Sequence, residues 1–562
     1  MQMLRRRSGK RFLVVGLFIA VVTTAAVVAV RCAINHQPYF GLYLDDALYV
    51  VTAKSLADGS GYRIISLPSS PFQTKYPILY PFILSLLWRL QPKFPDNVML
   101  LQSSGVAFGF AFAALSVLYL RKTRRITSLM SVVIFAATVL NIKFLSFLPF
   151  TMSDFLYGSV TVIALWLAEA AGCARSRITS PLAATGLGAA AALSALVRSV
   201  GGLVGPVVVL YLLIVRKYKT ALLAAAGFIA CLFPYWWWQH SVARQQPAWL
   251  AYYTDYGGWA SESYSKLGAS LIWDKLHDMF TSVLNLVWPL IDHLPYQTMS
   301  TLVFFLVYRG GFLLLWAGLF IGMKRDLWNH RRCLLPIYVL GYGIAMIIWP
   351  GFTEWRLVLV VLPFIYYFYF CAFRDFSRLV KSRLGQANRS RWQALCAVAA
   401  VLFSSYLVLG AAWSSVPRAG HYPKLLPWRP DISAEIENKD ILDTYRWIRT
   451  NTASGDVFVC NNESVLWLHT GRQAVEPSGY EGWRLHTLDL VTPDTVTATL
   501  KGSDASYLLL DPSPIGAYQV YVQFGAAVKT LLASRPGLLT LTYTSPHGVM
   551  VVFRVNGRLL DR

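Results

Sequence analysis

The chain has 562 residues, of which 56% are hydrophobic and only 14% charged; 51 Lys and Arg against 28 Asp and Glu leave a formal charge of +23. Roughly 25% of the residues of soluble domains are charged, so the composition excludes an ordinary soluble enzyme. A pI of 9.7 first suggests nucleic acid, but such a partner needs charged surface; a membrane is expected instead, with no nucleic-acid partner. The seven cysteines, at 32, 173, 231, 333, 371, 396 and 460, show no CxxC spacing and no Cys/His cluster, so neither a disulfide framework nor a zinc site is implied.

After MQMLRRRSGKR, an apolar run from Phe12 to Val30 is long enough to cross a hydrocarbon core of about 30 Å. It ends in Arg31-Cys32 rather than in a small-residue cleavage site, and is expected to be a retained signal anchor. Further spans are expected at about 98–120, 128–148, 155–171, 182–197, 201–215, 220–239, 301–323, 333–350, 357–373 and 393–413, eleven in all. The loops that would share a side with the N-terminus hold 24 Lys and Arg but only Asp326 and Asp375, a net of +22, while the remainder is nearly neutral. This positive-inside bias predicts a cytoplasmic N-terminus and an external C-terminus.

Three segments then lie outside: a loop at about 32–97, a second at about 240–300, and the tail from Ser414. The tail carries more charge. DILDTYRWIRT (440–450) has helical spacing, DVFVC (456–460) and ASYLLLD (505–511) resemble buried strands, and LLTLTYT with VMVVFRV (538–544, 549–555) predicts a hairpin about Ser545-Pro546-His547-Gly548. A domain of 414–562 with its own α/β core is expected beside a membrane domain of 1–413.

In the first outer loop Asp45 and Asp46 precede ALYVVTAKSLA. One carboxylate suffices to cap a helix; two adjacent ones repel, so the second is open to a partner cation, a metal or a substrate proton. Lys75-Tyr76-Pro77 leads into ILYPFILSLLWRL, too short to span and suited to a helix lying in the interface. Lys75 either snorkels to headgroups or meets an anionic ligand. Asp154 opens the fourth span and could be an N-cap. Arg198 interrupts an apolar run, where charge often marks a site. Glu354 and Arg356 could form a local salt bridge. Tyr235-Trp236-Trp237-Trp238 would sit in an aromatic belt, with sugar stacking as the other reading. Asn462-Glu463-Ser464 matches a glycosylation acceptor by pattern.

In order and spacing, Asp45-Asp46-Ala47 with Tyr49 and Ala53, Gly59-Ser60-Gly61-Tyr62, Lys75-Tyr76-Pro77 with Tyr80-Pro81, Met152-Ser153-Asp154, Arg198, and Arg356 with Pro363 resemble the GT-C superfamily of polytopic glycosyltransferases. The resemblance is in particular to the branch that includes protein O-mannosyltransferases and lipid A aminoarabinose transferases. The resemblance covers roughly 1–413. It implies Asp45 as catalytic base with Asp46 beside it, the Asp-Asp pair leaving open which acts. It implies Lys75 on the phosphate of a lipid-linked donor, and Asp154, Arg198, Arg356, Tyr49 and Tyr80 as substrate-binding residues. A divalent cation, magnesium or manganese, on Asp45, Asp46 and Asp154 remains open. For the tail it implies acceptor binding, and no residue there presents itself as catalytic.

The implied fold is a polytopic α-helical membrane protein with a small α/β extracytoplasmic domain. The implied function is inverting transfer of a sugar from a polyprenyl-phosphate donor to a glycan, lipid or protein acceptor on the outer face of a bacterial inner membrane. Two other classes stay in view. A transporter or flippase would usually show internal repeats and mid-bilayer charges, which the sequence lacks; a non-catalytic envelope assembly protein could keep the scaffold alone.

Overall fold

The computed structural model describes residues 24, 41, 45–173, 180–243, 251–254, 258, 261, 264–265, 270–287, 310–349, 355–383, 434–477, 491–511 and 518–560. The signal anchor, the expected span at 393–413, Glu354 and the 413/414 boundary lie outside these residues.

Helices dominate the described residues up to Arg383. Helix α1 (Asp45–Ala57) and helix α2 (Leu79–Leu90) pack together in the first outer loop. Then follow α3 (Val98–Arg124), α4 (Ser128–Val139), α5 (Ile142–Phe147), α6 (Asp154–Cys173), α7 (Pro181–Val197), a 3-10 turn at Ser199–Leu203, α8 (Val204–Ile214) and α9 (Tyr218–Ala243). After α10 (Ser270–Val287) come α11 (Gly311–Leu327), α12 (Leu334–Ile348) and α13 (Trp355–Arg383), which contains a 3-10 turn at Leu359–Val361. Four described helices, α3, α6, α9 and α13, are long and apolar enough to cross a bilayer, and several shorter apolar ones pack among them. The chain is an integral membrane protein.

Local chemistry explains where the helices differ from the expected spans. The run at 128–148 is two helices, because Asn141 caps α5: its Oδ1 accepts from the N–H of Lys143 and Phe144, at 2.9 and 3.1 Å. Its Nδ2 donates to Leu286 O and Tyr366 Oη, at 2.8 and 3.2 Å. A single polar residue thus ties three helices. Helices α7 and α9 approach so closely that a Cβ at Gly188 would overlap the Ala224 carbonyl, and one at Gly227 the Thr185 carbonyl; small residues permit such contact where no hydrophobic effect drives helices together. Helix α2 leaves Phe82, Leu86 and Leu90 exposed, as an interfacial helix would.

One end of this bundle is closed by charge. The Arg124 guanidinium is buried and donates from Nη1 and Nη2 to both oxygens of Glu169, at 2.8 and 2.7 Å, from Nε to Asp326 at 2.9 Å and from Nη2 to Arg332 O at 2.9 Å. Tyr367 Oη donates to the same Asp326 oxygen at 2.8 Å. Arg124 and Asp326, which the sequence counts among loop charges, therefore lock α3, α6, α11 and α13 together rather than facing solvent.

The tail carries helices α14 (Ala434–Asn451), α15 (Glu463–Thr470), α16 (Pro493–Gly502) and α17 (Tyr518–Ser534), and five strands: β1 (Phe458–Val459), β2 (Ala474–Val475), β3 (Tyr507–Leu510), β4 (Leu539–Thr544) and β5 (Val551–Val555). The sheet order is β2-β1-β3-β5-β4, parallel among β2, β1 and β3 and antiparallel onward. The expected hairpin is present; β2, only two residues long, was not expected. Alternate residues point to opposite faces of a sheet. Val459, Leu508, Leu510 and Phe553 join Phe524, Val528 and Leu531 of α17 in one core. Phe458, Tyr507, Leu509 and Val552 instead join the apolar cluster that continues into the membrane helices. The tail is docked by its sheet face.

Candidate active site

Neighbouring residues on a helix diverge by about 100°, and this separates the two aspartates at the start of α1. Asp46 is 1% exposed; its Oδ2 accepts from the N–H of Gly41 at 2.9 Å and its Oδ1 from that of Ala47 at 3.0 Å. It holds the chain that enters the helix. Asp45 faces the other way, with its side chain 21% exposed, Oδ2 lying 3.4 Å from Arg356 Nη2 and Oδ1 accepting from Tyr76 Oη at 2.5 Å.

The Lys75-Tyr76-Pro77 segment is irregular, so its backbone polar groups need partners from elsewhere. Gln73 Oε1 accepts from the N–H of Lys75 and Tyr76, at 2.8 and 3.1 Å. Tyr62 Oη donates to Tyr76 O and Pro77 O, and Tyr235 Oη to Tyr76 O at 2.9 Å. Gln239 Nε2 donates to Thr74 O at 2.5 Å, and Thr74 Oγ1 to Thr254 O at 2.6 Å. The aromatic cluster at the end of α9 therefore has two roles: Tyr235 and Trp238 brace this loop, Trp238 against Tyr62 and Phe72, while Trp236 and Trp237 stay exposed.

Asp154, at the start of α6, is buried and lies 2.7 Å from Arg198 Nη1, which also donates to Ser153 Oγ at 3.3 Å. Arg198 stands in extended conformation at the end of α7, where the helix gives way to the 3-10 turn. Arg198 and Arg356 lie near enough to repel each other, and both Asp45 and Asp154 act on Tyr49. Thus Asp45, Asp154, Arg198 and Arg356 share one neighbourhood. Tyr49, with its hydroxyl 3.1 Å from Ser153 Oγ, stacks edge-on against Tyr76 and Tyr80. Tyr49 and Tyr80 are buried and stand behind the carboxylates as a wall.

The tail reaches this loop. Asn462 Nδ2 donates to Gly41 O at 3.0 Å, Ala474 N–H to Ser66 O at 2.9 Å, and Ser464 Oγ lies 3.4 Å from Ser66 Oγ. A side chain at Gly41, whose φ is +95°, would overlap Val465. Asn462 is thereby a buried hydrogen-bond donor, not an exposed glycan acceptor. Glu476, through its own N–H, bonds the hydroxyl of Tyr253 at 3.1 Å. Glu463, Glu476 and Asp511 are all buried. Burial pushes Glu463 and Asp511 up to about 7 and Glu476 well above the usual carboxylate range. Burial likewise lowers Lys75 to about 8, against the pull of Asp45, Glu476 and Glu463. Sequence reasoning missed these glutamates. Nothing local marks them, since each sits in a short polar stretch that reads as a turn.

The carboxylates do not form an oxygen set for a divalent cation: Asp46 is committed to backbone N–H groups and Asp154 to Arg198. Among the described residues no group of three or more His, Cys, Asp or Glu comes together to hold a metal. Cys460 is buried and free.

No protein-family model and no curated protein matches the chain in sequence. Solved structures do match it in fold. ArnT from Cupriavidus metallidurans bound to undecaprenyl phosphate is similar with a TM-score of 0.52 at 13% identity, over 96% of this chain and 98% of that one. The archaeal oligosaccharyltransferase AglB from Archaeoglobus fulgidus, in complex with an inhibitory peptide and a dolichol-phosphate, gives 0.50 at 12%, over 94% and 74%. An Archaeoglobus fulgidus oligosaccharyltransferase in complex with Zn and sulfate gives 0.51 at 13%, over 95% and 73%. The fold, over nearly the whole chain, is the GT-C fold of membrane glycosyltransferases.

Proposed function

We propose that the protein is an inverting glycosyltransferase that moves a sugar from a polyprenyl-phosphate donor to an acceptor hydroxyl at the outer face of the membrane. The observation that carries this reading is the pairing of a half-open carboxylate, Asp45, with Tyr76 and Arg356 on one side and Lys75 beside it. Asp45 accepts the proton of the acceptor hydroxyl as its oxygen attacks the anomeric carbon. The bond from that carbon to the phosphate oxygen breaks, and its electron pair leaves with the lipid phosphate. Lys75 and Arg356 face the charge that grows on that oxygen. Arg198, set by Asp154 and Ser153, orients the inner wall, and Tyr49 and Tyr80 fix Tyr76 and thus Asp45. Asp46 holds the helix start, so Asp45 is the base. An orientation with this site outside follows from the basic loops at the opposite end, and in a bacterium that side is the periplasm.

The ArnT and AglB structures, bound to undecaprenyl phosphate and dolichol-phosphate respectively, support a polyprenyl carrier. The test is Asp45→Asn and Asp46→Asn in envelope membranes, with glycans of cells with and without the protein compared by mass spectrometry to identify the transferred sugar. Loss of transfer in Asp45→Asn with lipid-phosphate binding kept is the expected result. Full transfer in both variants would remove the assignment, and substrate accumulation in sealed vesicles without a new glycosidic bond would favour a transporter.

A further inference from the structure

The outer end of α9 meets the first outer loop along one face. Residues three and four apart share a helix face, and here Tyr235, Trp238 and Gln239 are half-buried while Trp236, Trp237 and His240 are exposed. Tyr235 Oη donates to Tyr76 O at 2.9 Å and Gln239 Nε2 to Thr74 O at 2.5 Å. One helical turn rises about 6 Å, and two residues of chain span at most about 7 Å, so the turn from Tyr235 to Gln239 holds both carbonyls at once. Trp238 packs on Tyr62 and Phe72, and Tyr62 Oη in turn donates to Tyr76 O at 3.0 Å and to Pro77 O at 3.2 Å.

The backbone held in this way carries the side chain that meets the carboxylate. A carbonyl accepts two hydrogen bonds; Tyr76 O has both, from Tyr62 and Tyr235, while the Tyr76 N–H is taken by Gln73 Oε1 at 3.1 Å. With its peptide groups fixed on either side, Tyr76 keeps only its two χ angles, and its ring stands edge-on to Tyr49 at 5.3 Å. Its Oη then meets Asp45 Oδ1 at 2.5 Å. A hydrogen bond to a carboxylate is short and weakens as it bends, so a small displacement of the loop is felt there. Tyr235 and Gln239 bond the backbone of the loop, and their reach to the carboxylate runs through Tyr76.

We propose that Tyr235 and Gln239 are positioning residues of the reaction: the outer end of α9 sets the loop at Thr74 and Tyr76, and through the Tyr76 hydroxyl it sets the carboxylate that receives the acceptor's proton. This rests on the reading of Asp45 as the base. A lysine on its four-carbon stem follows small shifts of its backbone, whereas a rigid ring does not. The cost of losing the α9 contacts therefore falls on proton transfer rather than on donor binding. Thr74 Oγ1, bonded to Thr254 O at 2.6 Å, keeps the loop docked when those contacts are removed.

The experiment uses the full chain in nanodiscs, with undecaprenyl phosphate as binding probe and single-turnover transfer of the sugar that the envelope comparison identifies. Tyr235→Phe with Gln239→Ala should slow transfer by a factor approaching that of Tyr76→Phe, roughly tenfold, with binding of the probe kept. Built into Tyr76→Phe, the same pair should slow it by less than about twofold further, because the bond it serves is already gone. Slowing that multiplies in that background overturns the proposal, and so does an unslowed parent. A second readout needs no sugar: 3-fluorotyrosine in place of Tyr76 gives one fluorine resonance, which Asp45→Ala displaces by removing the acceptor. The pair should move that resonance toward the Asp45→Ala position; an unmoved resonance overturns the proposal. Ser241→Ala removes a bond to Trp237 O on the exposed side of the same helix end and should leave both readouts unchanged; an equal change there would mark a general loosening of the helix end and overturn the proposal too. If the paired variant loses the probe, Tyr235→Phe alone, which removes one hydroxyl, goes through the same cycle under the same criteria. Full transfer by Asp45→Asn would instead remove the base on which the proposal rests.

Discussion

Two charge clusters stand at opposite ends of the same helices, and they are built on opposite plans. Asp154 and Glu169 belong to one helix, fifteen residues and therefore about 22 Å apart. At the Glu169 end, one arginine is saturated by two carboxylates, a carbonyl and a tyrosine-backed network, and its side chain is 1% exposed. At the Asp154 end, carboxylates and cations are shared among several elements, and Asp45 and Arg356 remain partly open at 3.4 Å. Saturated charge fixes a structure; charge held short of saturation can still meet a ligand. The residue types are the same in both places, so composition does not distinguish the two, and only the completeness of the bonding does.

This contrast can be broken by substitution. Asp45→Asn should lower transfer by about 10²–10⁴-fold, the span of a lost general base, with the thermal midpoint of the purified protein unchanged. Arg124→Ala should do the converse, costing about 3–5 kcal/mol of stability because it strands buried Glu169 and Asp326; chemical denaturation followed by tryptophan fluorescence would read it. A normal midpoint in Arg124→Ala would erase the distinction drawn above. Tyr76→Phe removes one bond to a carboxylate, about 1.5–3 kcal/mol. Single-turnover transfer should slow by roughly tenfold or more, while binding of undecaprenyl phosphate is kept.

A smaller effect sharpens the comparison through pH. The folded carboxyls of Glu463, Glu476 and Asp511 sit above their unfolded values near 4, so the folded tail keeps protons that the unfolded chain releases. Their contribution is full below about pH 4 and is lost as pH rises, through about 7 for Glu463 and Asp511 and higher for Glu476. Burial lowers His469 to about 4, and its stabilising effect is lost as pH falls from about 6.5 toward that value, so it does not act above pH 6.5. From pH 6.5 to 8, resistance of the tail junction to proteolysis should therefore fall, and Glu463→Gln with Glu476→Gln should flatten that fall.

Much of the membrane part was legible from sequence because its signals are local. Apolar runs found α3, α6, α7, α9 and α12, the motifs of the first outer loop brought Asp45 and Lys75 to notice, and charges at the ends of apolar runs did so for Arg198 and Arg356; the structure gathers Asp45, Arg198 and Arg356 with Asp154. What stayed hidden was relational. Adjacent aspartates look alike until a helix turns one toward Gly41 and the other toward Arg356. The break at Asn141 is invisible in hydropathy, since one polar residue barely lowers the average of a span. Strand β2 is two residues long and owes its conformation to Phe458 and to Ser66, neither of which is near it in sequence. Glu463 and Glu476 lie in a segment that docks on the first outer loop from about four hundred residues away, a distance that no spacing rule covers.

The bond between Ser66 and Ser464 spans 398 residues of chain. At roughly 5–20 residues per second, a ribosome needs about 20–80 s after making Ser66 to supply its partner. Through that interval the first outer loop is already made, yet Gly41, Ser66 and Lys75 have no tail to meet. A nascent chain is thus kept from finishing its own site until the tail has been synthesised at least as far as Ala474 and Glu476, and one truncated before that point never does.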